Sequence, residues 1–146
     1  MGTTIDHAPL TNDAEWQWLW FTLQGRRWTT LAVVDTTSGE DANEVARSLA
    51  GVGARDGLAQ VHVLSALGAS FQDVPKLVQW LELASEHDLK VVACDPVRSN
   101  PAMLPILQAA SGAVLIVRLG AATTAAVDMT VEAIGRDKVF ASIAIG

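Results

Sequence analysis

The sequence contains no tyrosine, a single cysteine at position 94, and three phenylalanines. One cysteine cannot form an intrachain disulfide, so the fold must rest on its apolar core, and a reducing compartment suits it. Basic residues are scarce and scattered: ten Lys and Arg against sixteen Asp and Glu give a formal charge of −6, and Arg26-Arg27 is the sole adjacent pair. A nucleic-acid binder needs a clustered basic face to neutralise phosphates, so nucleic acid is excluded as a partner. Long apolar runs are missing as well. Ala113–Val117 is the longest, far below the ~20 residues of a membrane helix. Met1 is followed by polar residues and Asp6, with neither the basic nor the apolar region of a signal peptide. A cytoplasmic protein without direct membrane insertion is expected.

What the chain has is aliphatic residues in short, regularly spaced runs. Its 146 residues suit one domain. Residues 1–11 lack periodicity and read as a disordered start; residues 12–146 read as a single α/β domain. Asn12-x-x-Glu15 has the spacing of a capping box opening a helix to about Leu23, with Gly25 as its stop. Five runs rich in β-branched residues follow: Thr30–Asp35, Gln60–Ser65, Leu89–Asp95, Ala113–Arg118 and Val139–Ile145. Three of them are almost continuously apolar, as strands covered on both faces must be.

Helical patterns separate the runs. Val45, Leu49 and Val52 form one stripe; Val74, Leu77, Val78 and Leu81 form another, behind a Ser70-x-x-Asp73 cap. Asn100-Pro101 begins a third helix before Gly112, and Thr123 or Thr124 begins a fourth that Gly135 closes. Strand–helix alternation at this pitch implies right-handed crossovers. The expected fold is a doubly wound, mostly parallel five-stranded sheet with helices on both faces. In such sheets ligands sit beyond the carboxyl ends of the strands. That directs attention to 35–43, 65–68 and 95–97.

Two of these segments carry a family resemblance. TLAVVDTTSGEDANEVARSLA resembles the Walker A region of the MinD/ParA-like ATPases, and more closely that of the bacterial tyrosine kinases of exopolysaccharide systems. VVACDPVRSNPAMLPILQAASGAVLIVRLG resembles their second signature, an apolar strand, D-x-P-P, a helix and a strand ending V-R/K-x-G. Glu15-x-x-Trp18-x-x-Phe21 falls where those kinases carry an E-x-x-R-x-x-R helix that builds a ring interface. The resemblance spans residues 12–145 and implies a P-loop NTPase-like fold.

Departures from the pattern are as informative as the matches. A P-loop holds phosphates through glycine amides, a Lys on the β- and γ-phosphates, and a Ser or Thr on Mg²⁺. Gly39 and Glu40 remain, but the second Gly is Asp41, the Lys is Ala42 and the Ser/Thr is Asn43. Two like charges ~4 Å apart at an effective dielectric near 20 repel by ~4 kcal/mol. An acid at the head of a helix therefore opposes a phosphate, and Asp41 is expected to cap the helix itself. Asp95 survives at the D-x-P-P position, without the intervening residue or the second Pro. The second strand ends in Ser65-Ala66 and offers no carboxylate, and without Tyr the autophosphorylated tail of such kinases is absent.

The resemblance thus implies a degenerate nucleotide site (Gly39, Glu40, Asp41, Ala42, Asn43, Asp95), with no catalytic residue, cofactor or metal. A scaffold or adaptor role follows, in polysaccharide assembly or a MinD/ParA-like positioning system. A second reading re-uses the strand-end crevice for a small ligand through Asp35, Thr36, Thr37, Asp95 and Arg98.

The simpler roles of these residues are concrete. Asp35 and Asp95 can cap the turns that follow them, Arg118 can be salt-bridged, and Cys94 can be an inert core residue. At 100° per residue Trp16, Leu19, Trp20 and Leu23 share one side of the first helix, while Trp18 and Phe21 face the other. Either residues 1–11 or a loop covers that side, or Trp18 and Phe21, with Glu15 where the resemblance places a ring interface, are the expected protein interface, with a homo-oligomer, or the cytoplasmic part of a membrane or ATPase component, as partner.

Overall fold

The apolar runs become the strands of one parallel sheet. In a computed structural model of the chain, the described residues are 3–6, 13–38, 41–56 and 60–145. The elements are β1 (Thr3–Asp6), α1 (Asp13–Gln24), β2 (Thr30–Asp35), α2 (Ala42–Asp56), β3 (Gln60–Ser65), α3 (Val74–Glu82), β4 (Asp88–Cys94), α4 (Met103–Ala109), β5 (Gly112–Arg118), α5 (Thr124–Ile134) and β6 (Val139–Ile145). A 3-10 turn at Arg136–Lys138 joins the last two. The strand order is β1-β6-β5-β2-β4-β3, and every pairing is parallel.

The five expected strands stand within one residue of their anticipated ends. A sixth, β1, corrects the expectation of disorder for residues 3–6; the rest of 1–11 lies outside the described residues. Thr3–Asp6 is too polar and too short to announce itself, and it is specified by pairing with β6, Thr3 opposite Ala141 through Asp6 opposite Ala144. The Asn12 capping position lies outside the described residues.

Side-chain alternation splits the core into two layers. Leu31, Val33, Val91, Ala93, Val114 and Ile116 point to the face covered by α1 and α2. Ala32, Val34, Val92, Cys94, Ala113 and Leu115 point to the face covered by α3, α4 and α5. The one irregularity is a register shift between Ala113 and Val114 opposite β6. The aromatic helix is arranged as the 100° spacing predicts: Trp16, Leu19, Trp20 and Leu23 are buried. Trp20 meets the edge of Trp28 with ring centroids 5.8 Å apart and planes at 82°, a favoured aromatic geometry.

Helix ends agree less well with the expectations. α2 runs on through Gly51 and Gly53 to Asp56, because packing outweighs the ~1 kcal/mol that each interior glycine costs. α3 starts at Val74 with no side-chain cap. The Asp73 carboxylate points backwards and accepts from Ser70 N (2.9 Å) and Ser70 Oγ (3.1 Å). That helix ends at Glu82, where a tight turn pairing Ser85 with Asp88 follows. At α5 the expected cap forms, with Thr123 Oγ1 accepting from Ala126 N; Gly135, at φ 98°, closes the helix.

Candidate functional site at the strand carboxyl ends

The connection leaving β2 carries α2 over one face toward β3, whereas those leaving β3, β4 and β5 carry their helices back over the other face. Chain direction thus reverses about β2, and the carboxyl ends of β2, β4 and β5 border the crevice that such a reversal creates.

The β2 end is locked from within. Asp35 is fully buried, and its Oδ1 accepts from Thr37 N (2.9 Å) and Ser38 N (3.1 Å). This is the turn-capping role. Its Oδ2 and the Ser38 hydroxyl are buried with no hydrogen-bond partner among the described residues. Thr36 ties the same turn to β5, sending both its amide (3.0 Å) and its hydroxyl (2.9 Å) to Ile116 O.

Asp41 precedes the first residue of α2, and its carboxylate forms an ion pair with Arg118 at the end of β5. This corrects the expected cap: among the described residues no α2 amide donates to the Asp41 side chain, although its carbonyl accepts from Val45 N at 3.0 Å. The acid is matched by a cation from another strand, and that cation is thereby engaged. Ala42, at the expected Lys position, is wholly buried in the core beneath the sheet's first face. Asn43 is half-buried. Gly39 and Glu40 lie outside the described residues.

Asp95 serves as a tie between loops. Its Oδ2 accepts from Gly68 N (2.7 Å) and Asn100 Nδ2 (3.1 Å), while the same Asn100 nitrogen donates to Ala69 O (3.0 Å). Gly68, at φ 73°, holds the left-handed conformation that lets its amide reach the carboxylate. Asn100 Oδ1 accepts from Ala102 N, but the helix it was expected to cap begins two residues beyond Pro101, at Met103.

Of the five residues expected to line a ligand crevice, Thr36, Thr37 and Arg98 meet in one cleft of 380 Å³, joined by Pro96, Ser99 and Thr123. Asp35 and Asp95 do not line it, since both carboxylates are committed to the loops that carry them. Among the described residues no group of three acidic, His or Cys side chains is placed to hold a metal ion. Cys94 is buried, and desolvation, with a smaller push from Asp95, raises its thiol pKa far above the ordinary range. The expected interface residues lie away from this crevice, on α1: Trp18 is 72% exposed, Phe21 61%, and Glu15 is half-buried.

The salt-bridged role expected of Arg118 is the one observed, but its partner and those of Asn100 lie 77 and 5 to 31 residues away, and the local signals, a V-R/K-x-G match at Arg118 and a helix start at Asn100, named none of them. No described helix is long and apolar enough to cross a membrane. Neither a protein-family model nor a curated protein matches the chain. Among solved structures it is similar to the BceF tyrosine kinase domain, with a TM-score of 0.66 and 10% sequence identity, over 91% of this chain and 77% of that one. The likeness at that identity is one of architecture: the chain has an α/β, P-loop NTPase-like fold of the kind a bacterial tyrosine kinase domain uses.

Proposed function

We propose that this chain is a non-catalytic pseudo-ATPase, a cytoplasmic adaptor that keeps the kinase-like fold and uses it to dock a protein in bacterial cell-surface polysaccharide assembly. The observation that carries the reading is the Asp41–Arg118 ion pair at the head of α2. A triphosphate bound there would have to take Arg118 from Asp41. It would then leave a partly buried carboxylate uncompensated beside its own charge, a loss of several kcal/mol by the scale of such breaks. With Ala42 buried where a lysine would reach for phosphate, none of the described residues of this loop supplies a cation to offset that loss. The exposed Trp18 and Phe21 supply the kind of aromatic anchor on which protein interfaces concentrate their energy. The partner on that helix is a second copy of the chain, or the cytoplasmic part of a membrane or ATPase component.

Titration calorimetry with Mg²⁺ and ATP tests the reading. No binding heat is expected into the millimolar range; micromolar affinity accompanied by turnover refutes it. One observation favours a second reading, the 380 Å³ cleft with Arg98 at its wall, which is within the size of small-ligand sites. A thermal-shift screen with nucleotides, sugar nucleotides and cyclic dinucleotides separates the two. Clear stabilisation by any of them favours a small-ligand domain, and uniform silence favours the adaptor.

A further inference from the structure

We propose that the outer edge of β3 is a self-association surface, on which a second copy of the chain lays its own β3 antiparallel, Val63 opposite Val63 across a two-fold axis. β3 ends the sheet and pairs on one side only, with β4. Its inner side is identified by two bonds, Gln60 N to His87 O (3.0 Å) and Ala66 N to Ala93 O (2.8 Å). Successive residues of a strand turn their N–H and C=O to opposite edges. The even-numbered residues 60 to 66 therefore face β4, and Val61, Val63 and Ser65 present their amides and carbonyls outward.

Among the described residues, 60–65 carry no fixed charge, proline or bulge of the kind that keeps sheet ends apart. Residues 60–65 read QVHVLS, with no Lys, Arg, Asp, Glu, Pro or Gly. The β3–β4 register runs unbroken from Gln60 opposite Asp88 to Ser65 opposite Ala93, without a bulge. Val61, Val63 and Leu64 are only half-buried. The nearby acid is already occupied: Asp88 lies 2.7 Å from His62 Nε2 and 3.9 Å from Lys90 Nζ.

Symmetry selects the register. Opposed residues in an antiparallel pair must share a face, so a two-fold axis passes through a residue rather than between two. Centring on Val63 aligns all three outward residues in bonded pairs: Val61 with Ser65 of the second copy, Val63 with Val63, and Ser65 with Val61. It also sets His62 against Leu64. Centring on His62 loses one bonded pair and opposes two imidazoles, which repel when protonated. The Val63 register therefore makes the most bonds and opposes no charges. It is independent of the aromatic face of α1.

Amide exchange followed by NMR on the full chain, at low and high concentration, tests this alongside light scattering. The expected result is a dimer mass, with Val61, Val63 and Ser65 amides at least about tenfold more protected in the concentrated sample, while His62 and Leu64 stay protected in both. Val63→Pro should give the monomer mass with an unchanged circular dichroism spectrum, because its lost N–H faced outward. If that variant does not fold, Val63→Lys takes its place. Three results overturn the proposal: a monomer at every concentration, a dimer in which the three amides exchange freely, or a dimer that survives a folded Val63 variant.

Discussion

Alanine in place of Gly53 and alanine in place of Gly51 are the same chemical change in the same helix, two residues apart, and they should move stability in opposite directions. Each removes an interior helix glycine, which by propensity alone stabilises by ~1 kcal/mol. At Gly51, exposed on α2, a Cβ meets nothing within 4 Å, so the full gain is expected. At Gly53 a Cβ falls inside the Trp20 indole, 2.7 Å from both Cζ2 and Cζ3, against an optimum near ~3.5–4.0 Å for carbon pairs.

Trp20 has no room to retreat. It is 3% exposed and held edge-on by Trp28. Overpacking of this kind costs ~1–3 kcal/mol; with the contacts this deep and both partners in the core, the upper half of that range applies. Gly53→Ala is thus expected to lose ~1–2 kcal/mol net of its propensity gain, and Gly51→Ala to gain ~1 kcal/mol. The two variants then differ by about 2–3 kcal/mol, or roughly 6–12 °C in Tm for a domain of this size. Urea unfolding followed by tryptophan fluorescence reads the difference as a midpoint shift at constant slope. Trp20→Leu should relieve the clash, making the double variant with Gly53→Ala more stable than the two single losses sum to. A Gly53→Ala protein as stable as its parent would refute the close approach of α1 to α2.

Three further outcomes follow from groups already placed. Trp18→Ala with Phe21→Ala should leave unfolding midpoints within about 0.5 kcal/mol of the parent, since neither side chain is in the core, yet reduce the particle mass in light scattering if α1 is the docking face; an unchanged mass removes α1 as a self-interface. Ser70 N–H and Oγ–H, with a smaller contribution from Lys76, hold the Asp73 pKa below its ordinary 3.8. The stabilisation is therefore present above about pH 3.8 and is lost as pH falls through the lower folded-state value. The stability gap between parent and Asp73→Asn should accordingly close in acid titrations, and a gap that widens would contradict the sign. Burial raises the Cys94 thiol pKa and shuts out reagents, so Ellman's reagent should label it only at the rate of unfolding; rapid labelling of the native protein would place Cys94 elsewhere.

The inner strands were legible because burial on both faces leaves a composition that few other structures share. Thr30–Asp35 and Val139–Ile145 could be bounded to the residue, and the Trp16, Leu19, Trp20, Leu23 stripe followed from angular spacing alone. What depends on distant partners was not legible. β1 has no apolar pattern and exists through β6. The carboxylate of Asp41 has a local rule that points to capping, and a guanidinium 77 positions away overrides it. Asp73 and Asn100 were read as helix caps, but the direction in which each side chain bonds was decided by the loops around it. Asp35 was correctly suspected of capping the turn that follows it, whereas Asp95 ties two loops through Gly68 N and Asn100 Nδ2, and these commitments keep both out of the cleft.

The pairing of β1 with β6 also bears on how the chain assembles during synthesis. Thr3 is made 138 residues before its neighbour Ala141. The interior strands β2, β4 and β5 can associate before β6 is made, so β1 must wait unpaired until β6 follows. Contacts this far apart in sequence are the slow ones to form. The joining of β1 to β6 is then the latest of the sheet's pairings to form.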